Sequence, residues 1–166
     1  MRMRDDTAHN ESEAYAVAVG LLARREHSAK ELGSKLRSRG FAPEVVDAVL
    51  SRLAAERLQS DERFAEVYLR QRSEKGYGPE RIRAELRERG IDEQLISARF
   101  RQAETEGEVD WFERAAAAYG KKFGRRPVED LKERAKRQRF MQYRGFTHEQ
   151  IAAAIDSHTT RIQVFE

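Results

Sequence analysis

The chain has 166 residues, of which 37% are charged and 39% hydrophobic, and a net charge of only +3. It is rich in alanine, leucine, glutamate and arginine, with 3 prolines, the composition of a soluble helical protein with a thin core. The absence of cysteine excludes disulfides, thiol catalysis and cysteine-ligated metal sites. No apolar run approaches the ~20 residues that cross a bilayer. The charged start, Met1-Arg-Met-Arg-Asp-Asp6, lacks the apolar stretch of a signal peptide, so a cytoplasmic location is expected.

In chain order, residues 1–10 are expected to lack structure. Residues 11–58 read as a first three-helix unit. Its first helix runs over Glu11–Glu26 with Tyr15, Val19 and Leu22 inward, and stops near His27. Ser28 and Glu31 form a capping box for the second helix. Arg39-Gly40-Phe41 ends that helix, and Pro43 suits the opening of the third. Residues 59–107 repeat the plan. A helix over Asp61–Lys75 turns Phe64 and Tyr68 inward, capped by Ser60 or Asp61. A corner at Gly76-Tyr-Gly-Pro79 follows, then Arg89-Gly90-Ile91 and an N-cap at Asp92. Residues 108–158 form the third unit. Its first helix, Val109–Phe123, carries Trp111, Ala115, Tyr119 and Phe123 on one face. Arg144-Gly145-Phe146 is its turn, and Thr147 with Gln150 is its capping box. Residues 159–166 are left as a C-terminal tail.

The three Arg-Gly-hydrophobic turns anchor a gapless internal alignment. Four residues before the glycines stand Leu36, Leu86 and Met141; after them come Val46, Ile96 and Ile151, then Ala48, Ala98 and Ala153, then Leu50, Phe100 and Ile155. Glycine just past a helix end takes the left-handed conformation without steric penalty, and the next hydrophobe folds back on the last turn. The preceding arginine complements the helix dipole. The expected fold is therefore all-α: three tandem three-helix units forming an elongated helical array, each unit near the size at which a core barely stabilises a fold and helped by its stacked neighbours. The third unit departs from the other two. Its glycine spacing grows from 50 to 55 residues, an extra Gly124-Arg-Arg-Pro127 segment appears, and Arg137 stands where the others have Leu32 and Ile82.

The modest net charge hides segregation. Between Gly120 and Arg144 ten basic residues face three acidic ones, a local +7 that leaves −4 for the rest. Such asymmetry fits an anionic partner, either nucleic acid or an acidic protein surface; a solvated helix face is the other reading. No phosphate loop, dinucleotide fingerprint or zinc-type histidine spacing occurs, so no catalytic residue, metal or cofactor is expected and the chain is read as a non-enzyme. The segment Arg70–Arg83 gathers basic residues around an aromatic turn. Two readings stand for it. Either Tyr77 packs inward at a corner in which Gly76 is the C-cap, Gly78 a flexible joint and Pro79 the helix opener, or the tyrosine is presented to stack on bases beside phosphate-binding arginines.

The motif Ser60-Asp-Glu-Arg-Phe64, the run Arg72-Ser-Glu-Lys-Gly-Tyr-Gly-Pro-Glu-Arg-Ile-Arg-Ala-Glu-Leu86 and the turn Arg89-Gly-Ile91 resemble the RecX family of bacterial recombination regulators. Arg139-Phe-Met-Gln-Tyr-Arg-Gly-Phe146 is similar to that family's third unit, and Leu22–Ser28 with Glu31-Leu32 to its first; the resemblance covers roughly 14–157. It implies tandem three-helix units in a small cytoplasmic protein that modulates RecA, mainly as an inhibitor. Such a protein binds the RecA–DNA filament and limits its extension, ATP hydrolysis, strand exchange and co-protease activity. The implied partner is the RecA filament, with direct contact to DNA phosphates as a further candidate; no membrane is involved and a monomer is expected. The family supplies no catalytic residues, so motif position and charge nominate the partner-binding set: Arg72, Lys75, Tyr77, Arg81, Lys136, Arg137, Arg139 and Arg144. The alternative reading is a stand-alone DNA-binding helical module of helix-turn-helix type, and a weaker one a helical scaffold for some other partner.

Overall fold

The computed structural model describes the backbone of residues 2–163 and the side chains of residues 6 and 9–158. Regular structure among the described residues is helical throughout: α1 Arg2–Arg24, α2 Ala29–Ser38, α3 Pro43–Ala55, α4 Asp61–Glu74, α5 Pro79–Glu88, α6 Glu93–Thr105, α7 Trp111–Phe123, α8 Leu131–Arg144 and α9 His148–Gln163. The three-helix period read from the sequence is thus realised as α1–α3, α4–α6 and α7–α9. Two extents differ from expectation. Helix α1 begins at Arg2, upstream of Glu11, because residues 2–10 contain no glycine or proline to stop it. Helix α9 reaches Gln163, into the expected tail; Val164, Phe165 and Glu166 lie outside the described residues.

The helix boundaries follow the local chemistry. Ser28 Oγ accepts the Glu31 amide at 3.1 Å while the Glu31 carboxylate accepts the Ser28 amide at 3.3 Å, closing the capping box of α2. Thr147 and Gln150 close the equivalent box of α9 at 3.0 and 3.3 Å. Pro43 occupies the first turn of α3. Ser60, rather than Asp61, caps α4 by accepting the Arg63 amide at 3.2 Å. Asp61 is drawn away to accept from the Ala29 amide at 2.9 Å and from Gln59 at 2.8 Å.

Contacts divide the chain into two compact bodies. The first takes the residues up to Val67 together with Arg87–Leu95; the second takes Tyr68–Leu86 and the residues from Ile96 onward. In the first, α1 packs on α2 and α3 around Leu32, Leu36, Val45, Val46, Val49 and Leu53. Ala14 and Ala18, not Tyr15, Val19 and Leu22, are the fully buried residues of α1; the larger three line the edge of this core, since small side chains let the helices approach closely. In the second, α7 packs chiefly on α9 around Ala115, Tyr119, Phe123, Met141, Phe146, Ile151 and Ile155. The repeat positions Leu36, Leu86 and Met141 are all buried, as are Val46, Ile96 and Ile151. The shared Ala48, Ala98 and Ala153 are instead exposed, so their recurrence reflects helix propensity rather than packing.

His27 is sealed into the first body, only 2% exposed. Its Nδ1 lies 3.0 Å from the Arg25 carbonyl, which must accept, leaving Nε2 to accept from Lys35 Nζ at 3.2 Å. Burial, reinforced by the Arg25 and Lys35 charges, holds its pKa below the usual imidazole value against the Arg25 carbonyl, which raises it. The unfolded chain therefore takes up this proton first as pH falls. Stability should drop below about pH 6.5 and level off once the pH has passed the folded value. Urea unfolding at neutral and mildly acid pH checks this: the His27→Gln variant should lose that part of the slope.

The turns that end α3 and α6 sit at matching places in the first two units. Gly107 holds the left-handed conformation at φ 71 in one; Arg57 holds it at φ 59 in the other. A side chain there strains the backbone by about 1–2 kcal/mol. Arg63 props the strained turn, donating to the Arg57 and Leu58 carbonyls at 3.2 and 3.1 Å while its Nε reaches Glu26 at 2.5 Å. Arg57→Gly should raise stability toward urea by up to about 1 kcal/mol, the relief being partly offset by the freer unfolded chain.

Candidate partner-binding site

The centre of the site is built from two helix corners within the second body. At the first, Gly76 takes φ 90 and its amide donates to the Ser73 carbonyl, while the Tyr77 amide donates to the Arg72 carbonyl at 3.1 Å. This is the paired bonding of a Schellman turn, which places the residue after the glycine over the residue four before it. Tyr77 therefore folds back on Arg72, whose guanidinium carbon lies 3.8 Å from the ring centroid. At the second corner, Gly145 takes φ 100, and the Gly145 and Phe146 amides donate to Gln142 and Met141 in the same pattern.

The two corners touch backbone to backbone. The Gly78 amide donates to the Arg144 carbonyl at 2.7 Å, and the Glu80 amide to the Gly145 carbonyl at 3.0 Å. A Cβ at Gly78 would stand 2.4 Å from the Gly145 carbonyl atoms, and one at Gly145 would stand 2.3 Å from Arg81 Cβ. Gly78, expected as a flexible joint, is thus a point of close backbone contact with a fixed hydrogen bond.

This contact assembles an alternating run of cations and aromatic rings. Arg72, Arg81 and Arg144 approach Tyr77 at 3.8, 4.5 and 4.9 Å. Arg81 also lies 4.8 Å from Tyr143, and Arg144 5.3 Å from Phe140, beneath which Lys122 sits at 5.2 Å. Glu85 is the carboxylate at the base of the cluster. It accepts from Arg72 at 2.8 Å, from Arg81 at 3.1 Å and from the Tyr68 hydroxyl. Burial alone would raise its pKa, but the bonds from Arg72, Tyr68 and Arg81 together outweigh burial and hold it below the usual carboxylate value. Three guanidinium groups against one carboxylate leave the cluster cationic, and Arg72, Tyr77, Arg81 and Arg144 are all half-buried. Tyr77 is thus half-buried and folded back into the turn, as the first reading of the corner has it, with three guanidinium groups against its ring.

The other nominated residues divide. Lys75 is exposed at the C-terminal end of α4, beside the cluster in sequence. Lys136 and Arg139 are exposed on α8, seven and four residues before Tyr143 and hence on its face. Arg137 does not belong with them. It is 2% exposed, and its guanidinium is spent internally: Nη1 donates to the Tyr119 hydroxyl at 2.7 Å and the Arg126 carbonyl at 2.9 Å, Nη2 to the Pro127 carbonyl at 3.2 Å and Nε to Glu133 at 3.0 Å. Burial disfavours its charge, but the bonds to Tyr119 and Glu133 more than compensate, and its pKa is raised. Arg137 is a structural residue that ties the extra Gly124–Pro127 segment to α7 and α8.

Sequence reasoning did not nominate Tyr143, Phe140 and Glu85, which the structure places in the cluster. Tyr143 could have been found from its helical spacing to Lys136 and Arg139. Glu85 carried no signal among so many glutamates. Among the described residues no cluster of histidine and carboxylate side chains could hold a metal ion, and no helix is long and apolar enough to cross a membrane.

Family models described as the first, second and third three-helix domains of RecX match residues 14–53, 60–98 and 108–155. Similar curated proteins include the "Regulatory protein RecX" of Pseudomonas entomophila strain L48, 47% identical over 134 residues, spanning 81% of this chain and 84% of the relative. The protein of the same name from Halorhodospira halophila is 44% identical over 137 residues, spanning 82% and 83%. Among solved structures, RecX from Lactobacillus salivarius superposes with a TM-score of 0.74 at 20% identity, covering 92% of this chain and 99% of the other, a likeness of fold.

Proposed function

The chain belongs to the RecX family of regulatory proteins, and on that premise we propose that it regulates a RecA-type recombinase, mainly as an inhibitor, by binding the RecA–DNA filament and limiting its extension. The observation that carries the reading is the cationic aromatic cluster around Tyr77, joined through Arg81 and Tyr143 to the basic outer face of α8. Together these form a surface suited to an anionic partner, protein or phosphate. On this reading the action is steric and electrostatic: a bound array of helices occupies filament surface that extension and strand exchange require, and ATP hydrolysis and co-protease activity fall with them.

The test adds the protein, well below RecA stoichiometry, to filaments on single-stranded DNA. ATP hydrolysis and strand exchange should fall, and the Lys136→Glu/Arg139→Glu double variant should need severalfold more protein for the same inhibition while keeping its helix content. Unchanged hydrolysis and exchange with the unaltered chain would sink the proposal. Tight, sequence-selective binding to naked duplex DNA would move the reading to a stand-alone DNA-binding module.

A further inference from the structure

We propose that the outer face of α8, with Tyr143 seated on Arg81, is a track for single-stranded nucleic acid: Lys132, Lys136 and Arg139 take backbone phosphates, and Tyr143 stacks on an unpaired base. The proposal rests on the filament reading for the partner's identity, and goes beyond it by naming which chemical part of the partner this face meets.

Lys132, Lys136, Arg139 and Tyr143 follow one another at intervals of four, three and four residues, so they form a single stripe along the helix. All four are exposed. Neither lysine nor Arg139 has an ion-pair partner among the described residues. The acidic residue nearest in sequence, Glu133, is turned inward to Arg137. Solvated helix faces ordinarily mix signs, because like charges at this spacing repel and opposite charges help. Here the stripe is of one sign, and no ion pair among the described residues offsets it.

The stripe ends on a prepared ring. Tyr143 is 72% exposed. Behind it the Arg81 guanidinium lies 4.8 Å from the ring centroid and donates to the Tyr143 carbonyl at 3.2 Å. Arg81 is itself held by Glu85 at 3.1 Å. An exposed tyrosine on a mobile surface is free to turn; this one has a fixed cation on one side and an open face on the other. A cation behind a ring draws electron density away from the open face, which suits it to an electron-rich nucleobase. Aromatic platforms beside a cationic groove are the general means of gripping single strands without sequence preference. In a duplex the base faces are already stacked, so the ring would have nothing to meet. An acidic protein surface would satisfy the cations but give the backed, open ring no partner. The eleven helical steps from Lys132 to Tyr143 span about 16 Å at ~1.5 Å per residue, the length of about five stacked nucleotides.

The test needs no recombinase. Fluorescence anisotropy would follow binding of the full chain to a labelled oligodeoxythymidylate, to an abasic strand of the same length, and to polyglutamate of matching charge. The thymidylate should bind most tightly. Lys132→Gln, Lys136→Gln and Arg139→Gln should each flatten the slope of log affinity against log salt by about 0.7. Tyr143→Ala should weaken thymidylate binding about tenfold while leaving the abasic strand unchanged, and Tyr143→Phe should retain it. Circular dichroism would confirm that each variant is folded. The proposal is overturned if Tyr143→Ala affects both strands alike, if the three charge variants leave the salt slope intact, or if polyglutamate binds as tightly as the thymidylate. A chain that meets these expectations but leaves RecA activity unaltered would refute the regulatory reading and keep this one.

Discussion

Gly145→Ala is expected to lower the stability of the second compact body by about 3 kcal/mol or more, whereas Gly40→Ala should cost only about 1–2 kcal/mol. Both glycines end the second helix of their unit with a positive φ, 100 and 91, so both alanines meet the same backbone strain. The difference lies in what surrounds them. Nothing stands within 4 Å of a Cβ at Gly40, while a Cβ at Gly145 would overlap Arg81, whose backbone nitrogen is 2.7 Å and whose Cβ is 2.3 Å away. Relief requires the two corners to separate, which also breaks the Gly78-to-Arg144 and Glu80-to-Gly145 hydrogen bonds. Gly78→Ala should show a loss of similar size, since the Cβ would meet Gly145 carbonyl atoms that cannot yield. Gly90→Ala should fall between, because its Cβ would meet only the stem of Lys30 at 2.8 Å. Urea unfolding of the four variants gives the ranking directly. Equal losses at Gly40 and Gly145 would mean that the corner contact contributes little.

Arg137→Ala should be the most damaging single change of charge, at about 3–5 kcal/mol. It would strand the Tyr119 hydroxyl, the Arg126 and Pro127 carbonyls and Glu133 without their common donor, and leave a cavity between α7 and α8. Lys136→Ala and Arg139→Ala, one residue before and two after, should stay within about 0.5 kcal/mol of the unaltered chain because both are exposed. Arg137→Leu recreates the residue type of Leu32 and Ile82 but should still be destabilising, since leucine donates nothing to the two loop carbonyls. Thermal melts followed by circular dichroism should set the two Arg137 variants well below the Lys136 and Arg139 variants. A charge-reversal experiment that includes Arg137 would therefore report unfolding rather than partner binding.

The fold was readable because it is repeated and periodic. Leu36, Leu86 and Met141 stand at one offset from three glycines, and a side chain at that offset can only face the core. The capping residues Ser28 and Thr147 were readable for a local reason: their partners lie three residues away. The site was less legible because charge is visible in sequence and direction is not. Lys136, Arg137 and Arg139 look alike in a count of basic residues, and only the alignment of Arg137 with Leu32 and Ile82 hinted that it lies inside. Glu85 acquires its role from Tyr68, Arg72 and Arg81, which spacing alone does not bring together. Gly78 read as flexibility because its closest neighbour, Gly145, is 67 positions further along.

The buried Arg137 has an evolutionary consequence. The inserted Gly124–Pro127 segment and the arginine that fastens it are one change written in two places. Either alone is a defect: the insertion without Arg137 has two orphaned carbonyls, and Arg137 without the insertion keeps Glu133 and Tyr119 but loses the two carbonyls that satisfy the rest of its buried guanidinium. The pair is therefore epistatic. A chimaera that transplants α8 of this chain into either of the other two repeats, or a consensus repeat averaged over all three, should fail at this position unless the loop travels with it.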